Sequence, residues 1–227
     1  LGYKGLCYIE LRCQGAKKDL HSMNAAVVVN PVWRLIWALS TMKNEKDFIT
    51  IDGFCDDVIK STKEDMHYLD CFNYDEERIK SSIGINSFIN DLKGTELKEK
   101  YLYQPTCNIA GFEAGYTGEG AKTVLPSYAF CKIDLRLVEG QDAEKTVDLI
   151  RKHLDKRGFT DIEVVMLSGK NPYRTDASSA IVKASLESAE EIYGMKPSIY
   201  RNAAGTTAMG TFCGPTGIPA VSFGIDH

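Results

Sequence analysis

Hydrophobic and polar residues alternate along residues 6–13, the first strand-like segment of the chain. One face carries Cys7, Ile9, Leu11 and Cys13, and the other carries Tyr8, Glu10 and Arg12. A period of two predicts a β-strand with one buried face. Residues 106–114, 129–138 and 162–167 are predicted to be strands on similar grounds, and residues 48–54 a short strand.

Two further segments have apolar residues at helical spacing. Asn30 and Pro31 supply an N-cap and a first-turn proline for a helix over residues 31–42. Asp142 caps a second helix, which Gly158 ends. Because this second helix connects two predicted strands, 129–138 and 162–167, a crossover is required, and we predict that the two strands form a parallel pair.

The composition changes in two places. Residues 56–103 are rich in charged, helix-forming side chains and predict a helical insertion. A Gly/Asn/Pro segment at residues 168–175 predicts a domain boundary. After this boundary we predict four elements: a helix ended by Gly194, a strand near 198–201, a short helix opened by Gly205-Thr206-Thr207, and an apolar strand over 219–225.

Charge and hydropathy exclude several classes of protein. The 27 Lys and Arg residues against 31 Asp and Glu residues give a net charge of −4, without long runs of one sign. Such a surface gives no electrostatic reason to expect nucleic acid or an anionic membrane as a partner. No apolar run approaches the ~20 residues that span a bilayer, so we expect no membrane insertion.

The number and spacing of the cysteines indicate the cellular compartment of the protein. The chain has seven of them, an odd number, and no C-x-x-C pair. Buried free thiols in a reducing cytosol are the simplest interpretation, so we expect a cytoplasmic protein. Leu1 begins within a strand pattern with no signal peptide before it, and we interpret the chain as a piece of something longer.

Three patterns of weak specificity remain. Glu64 and His67 have the spacing of a metal-binding pair on a helix, but a single copy favours an ordinary surface helix. The glycines of residues 115–122 resemble a phosphate loop, but a strand rather than a helix follows, which favours a glycine hairpin. His153 is expected to be solvated on a polar helix face. We therefore expect no self-contained metal site.

Other candidate residues lie on loops and on the sheet. His21 is in a loop between a strand and a capped helix, where functional residues concentrate. Arg136 shares the outward strand face with Lys132 and Asp134, a pattern that by itself favours a solvated surface. The backbone N–H groups at Gly205 could hold a carboxylate if a helix begins there.

Four segments in chain order resemble the motifs of one enzyme family. Residues 19–22 (DLHS), followed by Asn30-Pro31, resemble a D-L-H-S-G…N-P segment, and residues 111–126 resemble G-x-x-G-Y-x-G-x-G-x-K-T-V-x-P. Residues 134–138 with Gln141 are similar to R-L-V-P-x-Q, and residues 201–207 (RNAAGTT) to an R-x-G-G-S/T loop. The family is that of zinc-dependent dipeptidases and aminoacylases, such as carnosinase-type dipeptidases, acetylornithine deacetylase and succinyl-diaminopimelate desuccinylase.

The resemblance implies an α+β fold. Residues 1–168 would form a ferredoxin-like βαβ lid, or dimerisation, domain with the helical insertion, and residues 169–227 a partial α/β segment of the zinc catalytic domain. The parent enzyme would hold two zinc ions on ligands that have no counterpart here, so none is expected to bind this fragment. His227 resembles a non-ligand histidine near the last of those ligands.

The resemblance also implies roles for individual residues. His21 matches the catalytic histidine that reaches into the partner subunit's active site and stabilises the oxyanion of the tetrahedral intermediate. Thr123 and Arg136 match lid residues that hold the substrate carboxylate. Gly205 and Thr206 match the loop that contacts the same carboxylate from the catalytic side. No residue of the chain matches a metal ligand.

The resulting hypothesis is a lid and substrate-clamping fragment of a zinc metallopeptidase. The parent would be a homodimer, paired through the lid, that hydrolyses the amide bond of dipeptides or N-acyl amino acids. The length of the insertion favours a dipeptidase over a deacylase. The alternative is a non-catalytic ferredoxin-like module for dimerisation or ligand binding.

Overall fold

The computed structural model describes residues 1–223. Its strands are β1 (Gly2–Tyr3), β2 (Gly5–Gln14), β3 (Leu20–His21), β4 (Thr106–Ala114), β5 (Val124–Leu125), β6 (Tyr128–Leu137), β7 (Ile162–Lys170) and β8 (Tyr173–Arg174). Its α-helices are α1 (Pro31–Met42), α2 (Lys63–Cys71), α3 (Glu76–Ile83), α4 (Gly94–Tyr103), α5 (Ala143–Lys156), α6 (Ala180–Tyr193) and α7 (Met209–Thr216). Short 3-10 turns lie at Ser22–Ala26 and Ile89–Asp91.

A four-stranded antiparallel sheet in the order β4–β6–β2–β7 forms the centre of the structure. Helices α1 and α5 pack on one face, α1 against β2 and β6, and α5 against β2 and β7. The largest core cluster lies between sheet and helices and includes Ile9, Leu11, Leu35 and Ile150, all fully buried. The outward face of the sheet carries polar residues, as the alternation in β2 predicts.

Local signals placed the central helices correctly. The Asn30 side chain accepts a hydrogen bond from the Val32 N–H (2.8 Å) and α1 begins at Pro31, as predicted. Asp142 accepts from the Lys145 N–H (2.9 Å) and caps α5. The insertion is helical, with α2, α3 and α4 between residues 56 and 103.

The predicted parallel pairing of residues 129–138 with 162–167 is wrong. Strands β6 and β7 run in the same direction, but β2 lies between them and pairs antiparallel with both. The crossover through α5 therefore skips one strand position. The period of each strand predicts that it is a strand but not which strand lies beside it, because sheet order depends on contacts far apart in sequence.

The predicted strand over residues 48–54 is also wrong. Only Ile49 forms an isolated bridge, to Lys43, and the following residues form turns, with the Phe54 N–H donating to the Ile51 carbonyl (3.1 Å). Ile51 and Phe54 are both buried. In a strand, positions three residues apart point to opposite faces, so a turn is the conformation that places both side chains in the core.

The C-terminal segment is attached through the first strand. β8 pairs antiparallel with β1, and Tyr3 bridges to Ala203. Helix α6 and its Gly194 C-cap are as predicted. The predicted strand at 198–201 is not formed, nor is that at 219–225 as far as residue 223, because no neighbouring strand of residues 1–223 pairs with either segment. Residues 224 and 225 and His227 lie outside the described residues.

His153 is buried, contrary to the expectation that it is solvated. Its side chain is 1% exposed and lies on the inner side of α5. Nδ1 accepts from the Asp52 N–H (3.0 Å), so Nε2 carries the proton and donates to Thr41 Oγ1 (3.0 Å). Burial, with the Arg157 guanidinium, lowers the pKa of His153, although Asp52 opposes the shift. A polar side chain is favoured at this buried position of α5 because the Asp52 N–H and the Thr41 hydroxyl both face it.

The buried imidazole predicts a pH-dependent stability. Because the pKa of His153 is lowered in the fold, the unfolded chain binds the proton more readily. The stability that the neutral ring contributes is therefore present above pH 6.5, the usual pKa, and is lost as the pH falls through the lowered value. We expect the difference in free energy of unfolding between wild type and His153→Gln to shrink from pH 7 to pH 5, measured by urea denaturation. A difference that stays constant with pH would contradict this account.

The thiols and helix lengths agree with the sequence-based expectations in part. All seven cysteines are free, and five of them are buried, with Cys55 and Cys71 exposed. The longest helices, α5 and α6, have 14 residues each. Among residues 1–223 no helix is both long and apolar enough to span a bilayer.

Candidate functional site

His21 and Thr123 meet on a small ribbon at one end of the sheet. Strands β3 and β5 pair antiparallel, with His21 opposite Val124. The Ser22 N–H donates to the Thr123 carbonyl (3.1 Å). Both candidate side chains are exposed. Two residues that are about a hundred positions apart in the chain are therefore held on the same ribbon.

The His21 imidazole is held with one nitrogen facing outward. Its Nδ1 accepts a hydrogen bond from the Met23 N–H (3.2 Å), which caps the 3-10 turn that follows. A neutral imidazole whose Nδ1 accepts carries its proton on Nε2. The exposed Nε2–H is a hydrogen-bond donor of the kind that stabilises an oxyanion.

Asp19 fixes the ribbon to the main sheet. Its carboxylate accepts hydrogen bonds from the N–H (2.9 Å) and the hydroxyl (2.8 Å) of Ser127, just before β6 begins. The bond from the Ser127 hydroxyl, followed by that from the Ser127 N–H, lowers the pKa of Asp19, and the Lys122 charge adds to the shift. Asp19 is thus a positioning residue for His21, and it is part of the DLHS segment.

Arg136 and Thr206 form a second group. Arg136 Nη1 donates to Thr206 Oγ1 (2.9 Å), and Thr206 Oγ1 donates to the Gly5 carbonyl (3.1 Å). Asp134 lies beside the guanidinium, with its Oδ1 3.7 Å from Nε. Two residues to which the family resemblance gives a role in carboxylate binding are therefore in direct contact. Among residues 1–223, Arg136 Nη2 has no hydrogen-bond acceptor, so it is available to a ligand.

The expected helix start at Gly205 is wrong by several residues. Helix α7 begins at Met209, and the Met209 N–H donates to Thr207 Oγ1 (3.2 Å). Gly205 and Thr206 lie in the loop before it, so their N–H groups are not those of a helix N-terminus. The preceding Ala203 is tied to β1 by backbone hydrogen bonds, and this holds the loop in place without a helix.

The two groups lie at opposite ends of β6. His21 and Thr123 adjoin its start near Tyr128, whereas Arg136 is near its end. At about 3.4 Å per residue, the span from Tyr128 to Arg136 is roughly 27 Å. An extended dipeptide spans only about 7 Å. One small ligand therefore cannot contact Arg136 and His21 of the same chain, and Thr123 lies with His21 and away from Arg136.

Residues that motif spacing did not identify support the loop that carries Thr206, the hydrogen-bond partner of Arg136. Asp65, at 1% exposure, pairs with Arg174 (2.8 Å) and lies 3.5 Å from Arg201. Its carboxylate also accepts from the Thr62 N–H (2.9 Å) and hydroxyl (2.8 Å), completing a capping box on α2. The Thr62-x-x-Asp65 spacing was the signal that could have identified the cap. The charge pairing with residues a hundred positions away had no local signal.

The described residues do not form a metal site. Among residues 1–223, no group of three or more His, Cys, Asp or Glu side chains is placed to hold a metal ion. Glu64 forms an ion pair with Arg201 (3.5 Å), and the His67 ring packs edge-on against Tyr68. These two residues thus have structural partners.

Comparison with known proteins identifies relatives of this chain. The Cys-Gly metallodipeptidase dug1 of Schizosaccharomyces pombe is 31% identical over 157 residues, covering 68% of this chain and 33% of its own length. The human Beta-Ala-His dipeptidase is 24% identical over 209 residues, covering 88% of this chain and 41% of its own length.

A solved structure and a family profile match as well. The crystal structure of an M20 family metallo-carboxypeptidase, Sso-CP2 from Sulfolobus solfataricus, superposes with a TM-score of 0.89 at 41% identity, covering 96% of this chain and 50% of that one. The chain spans between a third and a half of the length of these relatives. The profile of the peptidase dimerisation domain of the M20 family matches residues 1–161. The chain therefore belongs to the M20 metallopeptidase family and carries its dimerisation domain.

Proposed function

We propose that this chain is the lid and substrate-clamping part of a metallopeptidase that hydrolyses the peptide bond next to a free C-terminal carboxylate. The observation that carries the proposal is the contact of Arg136 with Thr206, 2.9 Å between Nη1 and Oγ1, with Nη2 left for a ligand. A guanidinium with a free edge suits the bidentate recognition of a carboxylate. Dipeptides and N-acyl amino acids both present such a group.

His21 complements Arg136 chemically. When water attacks the amide carbon, negative charge develops on the former carbonyl oxygen. The Nε2–H of His21 is the donor that we assign to that oxygen, and the neighbouring Thr123 borders the same place. Since both adjoin the start of β6, and Arg136 lies roughly 27 Å further along that strand, we assign them to the site whose Arg136 belongs to the partner subunit.

The proposed homodimer uses an apolar surface on the β4 side of the domain. Trp33 and Trp37 of α1 stack at 6.0 Å between ring centroids and are 56% and 53% exposed. β4 is an edge strand with exposed Ile109 and Phe112. Exposed apolar patches and unpaired strand edges are surfaces that a partner covers, and a second copy is the partner that a dimerisation domain favours.

Disrupting this surface is expected to separate the subunits. In Trp37→Glu the carboxylate would have to be desolvated at the interface, so we expect sedimentation to show monomers. Activity per site should fall in parallel, because His21 of one subunit serves the other. Ile192→Glu on α6, at an apolar position that is 73% exposed, is the control and is expected to remain dimeric. A Trp37→Glu protein that stays dimeric would contradict the assigned surface.

The proposal extends to the domains, the metal and the cellular location. The order β2–α1–β4–β6–α5–β7 supports a ferredoxin-like lid over residues 1–168, with residues 169–227 as part of the catalytic domain. Zinc is the proposed metal, with two ions held by ligands outside the described residues. The seven free cysteines support a cytoplasmic location.

The experiment that tests the function is a hydrolysis assay of the longer protein that contains this chain. We expect dipeptides to be cleaved, the corresponding dipeptide amides to be cleaved poorly because Arg136 loses its carboxylate, and a chelator to abolish cleavage. Cleavage that survives chelation, or that is equal for acid and amide, would refute the proposal. Complete inactivity on peptides and N-acyl amino acids would favour the non-catalytic dimerisation or ligand-binding module instead.

A second candidate is carboxypeptidase activity. The metallo-carboxypeptidase Sso-CP2 is 41% identical to this chain, more than the dipeptidases above. Carboxypeptidases and dipeptidases both need the carboxylate clamp that Arg136 supplies, and they differ in whether the substrate's free amino end is required. Cleavage of an N-acyl tripeptide at its last bond would favour the carboxypeptidase.

A further inference from the structure

A cavity of about 480 Å³ opens beside Arg136, between the end of the sheet and the helical insertion. Its volume lies within the range of about 300–1,000 Å³ that is usual for small-molecule sites. The sheet contributes Thr106, Asn108 and Asp134 besides Arg136, and the insertion contributes mainly apolar side chains. A ligand whose carboxylate is held by Arg136 would therefore have space next to it.

Lys4 brings a second positive charge to this cavity. Its side chain is 2% exposed, and its Nζ donates to the Gln104 carbonyl (2.6 Å). Among residues 1–223 it forms no ion pair with an acidic side chain, although a lysine has three hydrogens to donate. Burial, Arg136 and Lys100 lower its pKa to about 8. A buried cation without a carboxylate partner is costly and favours the binding of an anion.

The acidic groups of the cavity are already engaged. Asp47 forms ion pairs with Lys43 and with Lys100 (3.0 Å). Asp134 accepts from the Asn108 amide (2.7 Å) and adjoins Arg136. Four cations thus face two carboxylates, and among residues 1–223 Lys4 is the lining cation that has no carboxylate beside it.

The opposite wall is aromatic. Tyr74 lies 5.5 Å from Tyr101 and 6.1 Å from Phe88 between ring centroids, and all three line the cavity with Ile89 and Leu97. Such a wall packs well against an apolar or aromatic side chain. The distribution of charge and apolar surface therefore matches an amino acid whose carboxylate is at one end and whose side chain is large.

We propose that this cavity receives the side chain of the substrate's C-terminal residue, that Lys4 joins Arg136 in binding its carboxylate, and that large apolar or aromatic residues are preferred there. The inference rests on the proposed function and names its substrate class. The helical insertion is then the element that determines specificity, whereas the sheet determines carboxylate binding.

The test measures kcat/KM of the longer protein for a matched series, Ala-Gly, Ala-Leu and Ala-Phe. Burial of a large side chain is expected to make kcat/KM roughly 10- to 100-fold higher for Ala-Phe than for Ala-Gly. Equal values, or a preference for Ala-Gly, would overturn the proposal while leaving the proposed function intact. In this series the proposed function fails if none of the three peptides is hydrolysed.

Variants of the aromatic wall test whether this cavity causes the preference for large C-terminal side chains. Phe88→Ala is expected to lower kcat/KM for Ala-Phe about 10-fold and to leave Ala-Gly unchanged. Ile89 is partly exposed, and the larger side chain of Ile89→Trp would narrow the cavity. This variant should therefore lower kcat/KM for Ala-Leu and Ala-Phe but not for Ala-Gly. Ile85→Ala, in the same segment but outside the cavity, is the matched control and should change neither substrate. A preference that survives both wall variants would contradict the assignment.

The variant Lys4→Met tests whether Lys4 binds the substrate carboxylate or only stabilises the fold. If Lys4 binds the carboxylate, KM for Ala-Phe should rise roughly 10- to 100-fold with kcat unchanged. Because the variant removes a buried cation without a carboxylate partner, its unfolding midpoint should stay the same or rise. An unchanged KM, or a fall in stability that accounts for the loss of activity, would overturn the role of Lys4.

Discussion

Replacing His21 with alanine is expected to lower kcat by ~10²-fold or more, the usual effect of removing one oxyanion donor. The imidazole is exposed and, within residues 1–223, is hydrogen-bonded through its Nδ1 alone, so its removal should leave the fold unchanged. KM should change little, because the donor acts on charge that exists only in the transition state. Steady-state kinetics of the longer protein provide the measurement.

The control is His67→Ala, which removes another exposed histidine outside the site. It should leave kcat unchanged. Unfolding curves and sedimentation of the His21→Ala protein should match those of the wild type. If kcat of His21→Ala equals that of the wild type, His21 has no part in the mechanism.

Replacing Asp65 with asparagine is expected to lower the free energy of unfolding by about 3–5 kcal/mol, the usual cost of breaking a buried ion pair on one side. The substitution leaves Arg174, 2.8 Å away, and the buried Arg201 without their common counter-charge. It also weakens the cap that Thr62 and Asp65 form on α2. Chemical denaturation measures the effect.

Glu64→Gln is the matched control for Asp65→Asn. Glu64 is the next residue and pairs with Arg201 at 3.5 Å, but its side chain is exposed, so we expect a cost of about 1 kcal/mol or less. The double variant Asp65→Asn/Arg174→Met should recover part of the loss, since it removes a stranded charge. Equal effects of Asp65→Asn and Glu64→Gln would show that the buried cluster is not a stability determinant.

The Asp65 cluster also connects stability to function. Arg201 begins the loop that carries Thr206, the contact of Arg136. The insertion thereby holds the loop from one side while β1 holds it from the other, through Lys4 and Ala203. Partial loss of carboxylate binding is therefore an expected secondary effect of Asp65→Asn.

Local patterns predicted the elements that depend on neighbouring residues. The alternation in β2, the Asn30 cap of α1 and the Asp142 cap of α5 each act within a few residues, and each is as expected. The position of β2 between β6 and β7 depends on pairing across more than a hundred residues, and no local period encodes it.

The same distinction applies to the candidate site. Motif order indicated His21, Thr123, Arg136 and Thr206 as candidates, but it could not show that they form two groups at opposite ends of β6. Lys4 was missed, and His153 was wrongly predicted to be solvated, because the surroundings of both come from distant segments. From sequence alone, a polar residue in a strand or helix is predicted to be solvated, because its partners in distant segments are not known.

The most direct test of the account mixes two inactive variants. In a heterodimer of His21→Ala with Arg136→Met, one site combines the intact Arg136 of the first subunit with the intact His21 of the second. If subunits exchange at random, activity should return to about a quarter of the wild-type value, because half of the dimers have one complete site of two. If the mixture stays as inactive as either variant alone, while sedimentation shows that heterodimers form, each site uses His21 and Arg136 of one chain, and the account is contradicted.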